Sequence, residues 1–145
     1  MEGSSFSDGK VIEKLAAEFV AVKLNVTDDG WPEDVPALTA WQEAFTRDWR
    51  HKYGFATSVV IGPDGQWVYG TSGSGYKWEW ETAINYHPDK YLSYLDECLD
   101  RFRRIEAILA DASLSELERK AGLLKVRGEI LAQLVEANKR GRKSR

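Results

Sequence analysis

Thiol and imidazole groups are scarce in this 145-residue chain: one cysteine, Cys98, and two histidines, His51 and His87. A single thiol closes no internal disulfide and supplies no two-cysteine zinc site, and the histidines complete no ligand spacing. No metal and no cofactor is expected. Cys98 falls between Leu95 and Phe102 on the apolar stripe of a predicted helix. That is the setting of a buried structural thiol, not of an activated nucleophile at a helix N-terminus. Asp48 and His51 stand three apart on another predicted helix, near Glu43 and Asp64 in sequence, and could form a general-base pair. Charges at that spacing on a helix surface are normally solvated, so no catalytic role is assigned to them. There is no Ser-His-Asp context, phosphate loop or dinucleotide fingerprint. No catalytic residue is expected.

The other signal is aromatic. Six tryptophans, at 31, 41, 49, 67, 78 and 80, are many for this length. Trp41 and Trp49 recur at helical spacing and read as core. Trp67 alternates on a hairpin strand and reads either way, as core or as partner-facing. Tyr76, Trp78 and Trp80 lie in a glycine- and serine-containing stretch, residues 71–87, which is the least regular of the chain. Rigid aromatics of this kind are enriched where proteins grip partners. The competing reading is that they fold back and fill a core.

These residues need elements to hold them. Ser7 or Asp8 can cap a first helix, with Val11, Ile12, Leu15 and Ala16 on one face. Phe19–Val26 alternates as a strand, with Val20, Val22, Leu24 and Val26 on one side. A turn-rich loop follows. A second helix is predicted from Val35 to Lys52, capped by Asp34 and started by Pro36. Thr57–Gly62 reads as a strand buried on both faces, because Val59-Val60-Ile61 is unbroken. Pro63-Asp64-Gly65 is a turn, and Gln66–Gly70 returns as a hairpin. A long helix follows from Pro88 to Asp111, its stripe being Tyr91, Leu95, Cys98, Leu99, Phe102, Ile105 and Leu109. Ser113 to Glu116 fits a capping box. A last helix is predicted to run to Asn138, with Leu117, Ala121, Leu124, Leu131 and Leu134 facing inward.

The order of these segments resembles the thioredoxin-like superfamily, of the Cys-x-x-Cys disulfide reductase type, over residues 4 to 105. The resemblance rests on Ser5-Phe6-Ser7-Asp8, on Glu18 to Val26, and on Gly54-Phe55-Ala56-Thr57-Ser58-Val59-Val60-Ile61 followed by Pro63-Asp64-Gly65. It implies an α/β, truncated thioredoxin-like fold of about three strands flanked by helices. The family's first strand and Cys-x-x-Cys have no counterpart after Met1, and its cis-proline is replaced by Ala56, where an ordinary trans peptide is expected. A sheet without its middle strand leaves backbone groups to satisfy. The flanking strands can pair directly, a second copy can supply an edge, or the chain can be the remainder of a longer product. By the resemblance, Phe55, Ala56, Tyr76, Trp78 and Trp80 border the surface that grips polypeptide substrates.

The organisation expected is a thioredoxin-like domain at 1–111, an additional C-terminal helix at 112–138 and a basic tail at 139–145. That tail carries five of the 20 basic residues, and the remaining 15 bases against 23 acids leave a body of net charge −8. Such a body opposes phosphate, so nucleic acid is not an expected partner. No apolar run spans a membrane and no signal peptide is visible, so the expectation is a cytoplasmic protein without membrane contact, provided Met1 is the native start. The chain reads as a non-catalytic domain that binds a protein or peptide, with a homodimer favoured through the last helix. The alternative is the C-terminal part of a thiol–disulfide oxidoreductase whose Cys-x-x-Cys lies upstream of Met1.

Overall fold

Two of the helices begin where a side chain accepts from the free amides of the first turn, and the other two begin at a proline, which has no amide to satisfy. After a short 3-10 turn at Ser5–Ser7, α1 (Gly9–Glu18) is capped by Asp8, whose Oδ1 accepts from the amides of Lys10 at 2.9 Å and Val11 at 3.2 Å. α2 (Pro36–Phe45) starts with proline, as expected. Its cap position is held by Val35, not Asp34: the Val35 carbonyl accepts from Leu38 and Thr39. The amide of Ala37 donates to the carbonyl of Gly65 at 2.9 Å, which ties this helix to the hairpin turn. α3 spans Pro88–Ala110 and α4 spans Glu116–Lys143. The cap of α4 is Ser115, two residues later than the sequence pattern suggested: Ser115 Oγ accepts from the Glu118 amide at 3.1 Å. Asp111 takes Ser113 instead. The computed structural model describes residues 5–25, 28–30, 32–45, 58–72 and 87–143, and the side chains of all these but 41–45 and 133–143.

The architecture is mixed, helices around one antiparallel pair: β1 (Val59–Ile61) and β2 (Val68–Thr71). Val59 faces Thr71, Val60 faces Gly70 and Ile61 faces Val68, with a register irregularity between Val60 and Ile61. The Pro63-Asp64-Gly65 turn forms as expected. Gly65 takes φ +71, a conformation a side chain disfavours, while its amide donates to the Gly62 carbonyl at 3.0 Å. β1 is only half-buried, not covered on both faces. In a two-stranded sheet each strand is an edge, so an unbroken apolar run here reflects partial cover by helices.

α3 is the hub. Its Tyr91, Tyr94, Leu95, Cys98 and Ile105 are buried with Val11 of α1, Tyr69 of β2, and Val126 and Ile130 of α4. Aromatic edges pin this core: Phe6 meets Tyr91 with ring centres 5.1 Å apart, and Tyr69 meets Phe102 at 5.5 Å. Leu109, expected on the buried stripe, is more than half exposed near the helix end, and Tyr94 takes an inward place that the stripe omitted. In α1, Val11 and Leu15 turn inward while Ile12 and Ala16 face out.

Two expectations fail. Phe19–Val26 is not a strand: residues 19–25 belong to no sheet, and residue 26 lies outside the described residues. Val20 is 93% exposed and Val22 71%. Alternation makes a strand only beside a neighbour that takes its hydrogen bonds, and among the described residues the two strands bond to each other. Among the described residues the expected three strands are therefore two. The second failure is the phase of α4. Leu117, Leu124 and Leu131 are exposed, at 78%, 59% and 57%, and Ala121 is exposed with them. Leu134 lies outside the described side chains. The buried face is Leu123, Val126 and Ile130. Leu117 to Val126 is nine residues, about two and a half turns, so the two apolar sets lie on opposite sides of the helix. Gly122 decides between them. A Cβ there would stand 3.2 Å from Ile108 Cδ1, so the glycine lets α4 approach α3 on this side. α4 also runs to Lys143, five residues past the expected end at Asn138.

Candidate functional site

The open end of the hairpin carries the densest group of functional side chains among the described residues. Ser58 and Ser72 flank β1 and β2, and the Ser72 amide donates to the Ser58 carbonyl at 2.9 Å. Ser72 Oγ accepts from the Ser58 amide at 3.0 Å. Tyr91 and Tyr94, three apart on α3, reach the same place. Tyr91 Oη donates to Ser58 Oγ at 3.0 Å, Ser58 Oγ to Ser72 Oγ at 3.1 Å, and Tyr94 Oη to the Ser58 carbonyl at 3.3 Å. Tyr91, Ser58 and Ser72 form one directed chain of side-chain hydrogen bonds, Tyr94 joins it at the Ser58 carbonyl, and together they clasp the sheet to the helix.

Chemically this cluster cannot abstract a proton near neutrality. Burial pushes the Tyr94 phenol well above its ordinary value and raises that of Tyr91, against the opposing bond from Ser58. A phenol acting as general base needs the opposite shift. Cys98, one turn beyond Tyr94, is 1% exposed, and burial pushes its thiol up to about 12, against a smaller opposing pull from the Arg101 guanidinium. A thiolate is the reactive form, so this thiol is inert in the folded state. The expected structural role of Cys98 agrees with its place in the core.

The sequence-predicted binding residues Phe55, Ala56, Tyr76, Trp78 and Trp80 lie outside the described residues, as do Asp48, His51, Trp31 and Trp49. What the structure does place is the chain beside them: Ser58 follows Ala56 by two positions, and Ser72 precedes Tyr76 by four. Sequence reasoning missed the clasp. The available signal was the pair of serines just outside the two strands together with tyrosines at i, i+3.

Two surfaces complete the inventory. Between α3 and α4 an open groove of about 450 Å3 is lined by Asp96, Glu97, Asp100, Arg101, Arg104 and Glu129. Its charges are matched: Arg104 reaches Glu129 at 2.8 Å and Asp100 at 3.6 Å, Arg101 reaches Glu97 at 3.5 Å, and Lys14 pairs with Asp96. Such exposed pairs are each worth about 0–1 kcal/mol and hold helices in register without offering a ligand an unpaired charge. The second surface is apolar: Val20, Val22 and Leu24 beyond α1, and the outer leucines of α4. Beside the latter, Trp67 stays half exposed under the guanidinium of Arg127, 3.6 Å from its ring centre.

Among the described residues no group of His, Cys, Asp and Glu is arranged to hold a metal, and no helix is long and apolar enough to cross a membrane. No family model, no curated protein and no solved structure matches the chain.

Proposed function

We propose that this chain is a non-catalytic module that binds a protein or peptide partner. The observation that carries the reading is the segment 19–25. It is apolar and unpaired, and the backbone of residues 20–24 makes no hydrogen bond to any other described residue. Exposed β-branched residues on an unpaired backbone are what an extended peptide needs in order to add a strand: main-chain bonds supply affinity and alternate side chains supply selectivity. The sealed thiol of Cys98 weighs against disulfide exchange by the chain as given. The thioredoxin-like part of the reading is supported by the ββα arrangement of β1, β2 and α3. It is weakened by the unpaired segment 19–25, which carries much of the resemblance. Tyr76, Trp78 and Trp80, with Phe55 and Ala56, remain the proposed other side of the binding surface.

Panning a displayed library of short peptides against the chain tests this. The expected result is a set of alternating apolar peptides whose affinity falls at least about tenfold, or 1.4 kcal/mol, in a Val20→Asp, Val22→Asp variant of unchanged melting temperature. Selection of no peptide, together with insulin reduction that is lost in Cys98→Ser, would overturn the reading in favour of an oxidoreductase fragment.

A further inference from the structure

The outer face of α4 has no partner among the described residues, and its pattern is self-complementary. Leu117, Ala121, Leu124, Gly128 and Leu131 follow one another at spacings of four and three, so they form a single seam. The seam runs about 21 Å from Leu117 to Leu131. All three leucines are more than half exposed, and a Cβ at Gly128 would meet nothing within 4 Å. The body of the protein is attached on the opposite side, through Val126 and Ile130, so a second helix can lie along the seam without displacing the core.

We propose that this seam binds the same seam of a second copy, antiparallel, to form a symmetric dimer. The residue sizes choose the orientation. In a parallel pair like meets like: leucine layers alternate with alanine and glycine layers, and the small layers leave voids. Antiparallel, with Ala121 of one copy beside Leu124 of the other, four layers each join a large residue to a small one, and Leu131 extends past the start of the other copy's helix at Glu116. Leu117 then falls on Gly128, Leu124 on Ala121, and the reverse by symmetry. The flanking charges choose the register. In this alignment Glu118 of each copy stands opposite Lys125 of the other, two attractive contacts related by the two-fold axis. Lys120 falls opposite Arg127, but the Arg127 guanidinium is held on the Trp67 ring, on its own body. Sliding the helices by one heptad keeps the large-to-small layers, yet sets Lys125 against Lys125 and leaves Glu118 opposite Ala132, with no cation to meet it. A helix pair of this length sits at the small end of stable interfaces, so dissociation in the micromolar range is expected.

The proposal goes beyond peptide binding and uses a different surface, so the two readings fail separately. Sedimentation equilibrium from about 1 to 200 micromolar tests it, bracketing the affinity expected for so small an interface. The wild type is expected to pass from monomer to dimer. Leu124→Lys, at an exposed position, is expected to stay monomeric with unchanged helicity and melting temperature at low concentration. Glu118→Lys is expected to weaken the dimer about tenfold or more, and the charge swap Glu118→Lys with Lys125→Glu to restore most of that loss. A wild type that is monomeric throughout, or a dimer that survives Leu124→Lys, overturns the interface; the face then belongs to another occupant. A dimer lost in Leu124→Lys but not rescued by the charge swap overturns the register.

Discussion

Residues 19–25 and residues 58–72 begin with the same asset and end differently. Both are rich in valine and other strand-forming side chains. The second segment folds on itself as β1 and β2, half to fully buried, whereas the first pairs with no strand among the described residues and has its valines in solvent. The difference lies in what surrounds the pattern. The hairpin carries its own partner six residues away across a turn that Gly65 makes possible, and a helix whose tyrosines hold its open end. Among the described residues the first segment has no strand partner and only Phe19 packs against the core, and strand propensity measures how well a side chain fits a pleated, half-covered surface rather than a preference of the isolated backbone.

The same substitution in the two regions separates them most strongly. Leu95→Ala, in the core where α3 meets the hairpin, is expected to cost about 2–5 kcal/mol, whereas Leu24→Ala, in the unpaired segment, should stay within about 0.5 kcal/mol. Urea unfolding of both variants measures the gap. Comparable losses would mean that residues 19–25 are packed in solution and that the contrast is false.

Next comes alkali, which attacks the covered region alone. The folded Cys98 thiol is raised from 9.0 to about 12, so between those values the unfolded chain loses a proton that the folded chain keeps. The folded state then binds more protons, and stability falls as pH rises through this window by at most about 1.4 kcal/mol per unit. The raised phenols of Tyr91 and Tyr94 add to the loss above their ordinary value of 10.0. Between pH 8 and 10.5 the wild type should lose about 2 kcal/mol more than Cys98→Ala. Identical slopes in the two proteins would show that solvent reaches the thiol.

A smaller effect is expected at the turn. Gly65→Ala forces a side chain into positive φ and should cost about 1–2 kcal/mol, read as a lower urea midpoint with an unchanged slope. No change there would remove the turn as the reason the hairpin succeeds. The smallest effect sharpens the other side of the comparison. Val20→Thr with Val22→Thr, which keeps the branched shape and removes apolar surface, should move stability by less than about 0.5 kcal/mol while weakening any bound peptide. Loss of stability without loss of binding would reverse the roles assigned to the two regions.

Local signals determined much of the framework. Asp8 and Pro36 set helix starts, Pro63-Asp64-Gly65 set the turn, and the spacing of Tyr91, Leu95, Cys98 and Ile105 set the buried face of α3, because each acts through neighbours within one turn of chain. The inert character of Cys98 was legible for the same reason: its position on that face placed it in the core. The candidate site was less legible. Its clasp joins Ser58, Ser72, Tyr91 and Tyr94 across up to 36 positions, a meeting that no local pattern announces. Tertiary structure alone decided two further matters. Residues 19–25 alternate well but bond to no strand among the described residues. α4 carries apolar residues on opposite faces, and periodicity gives no ground for choosing between them. The larger leucines point to one side, but Gly122 admits Ile108 on the other, so closeness of approach, rather than hydrophobicity, selected the face that faces the core.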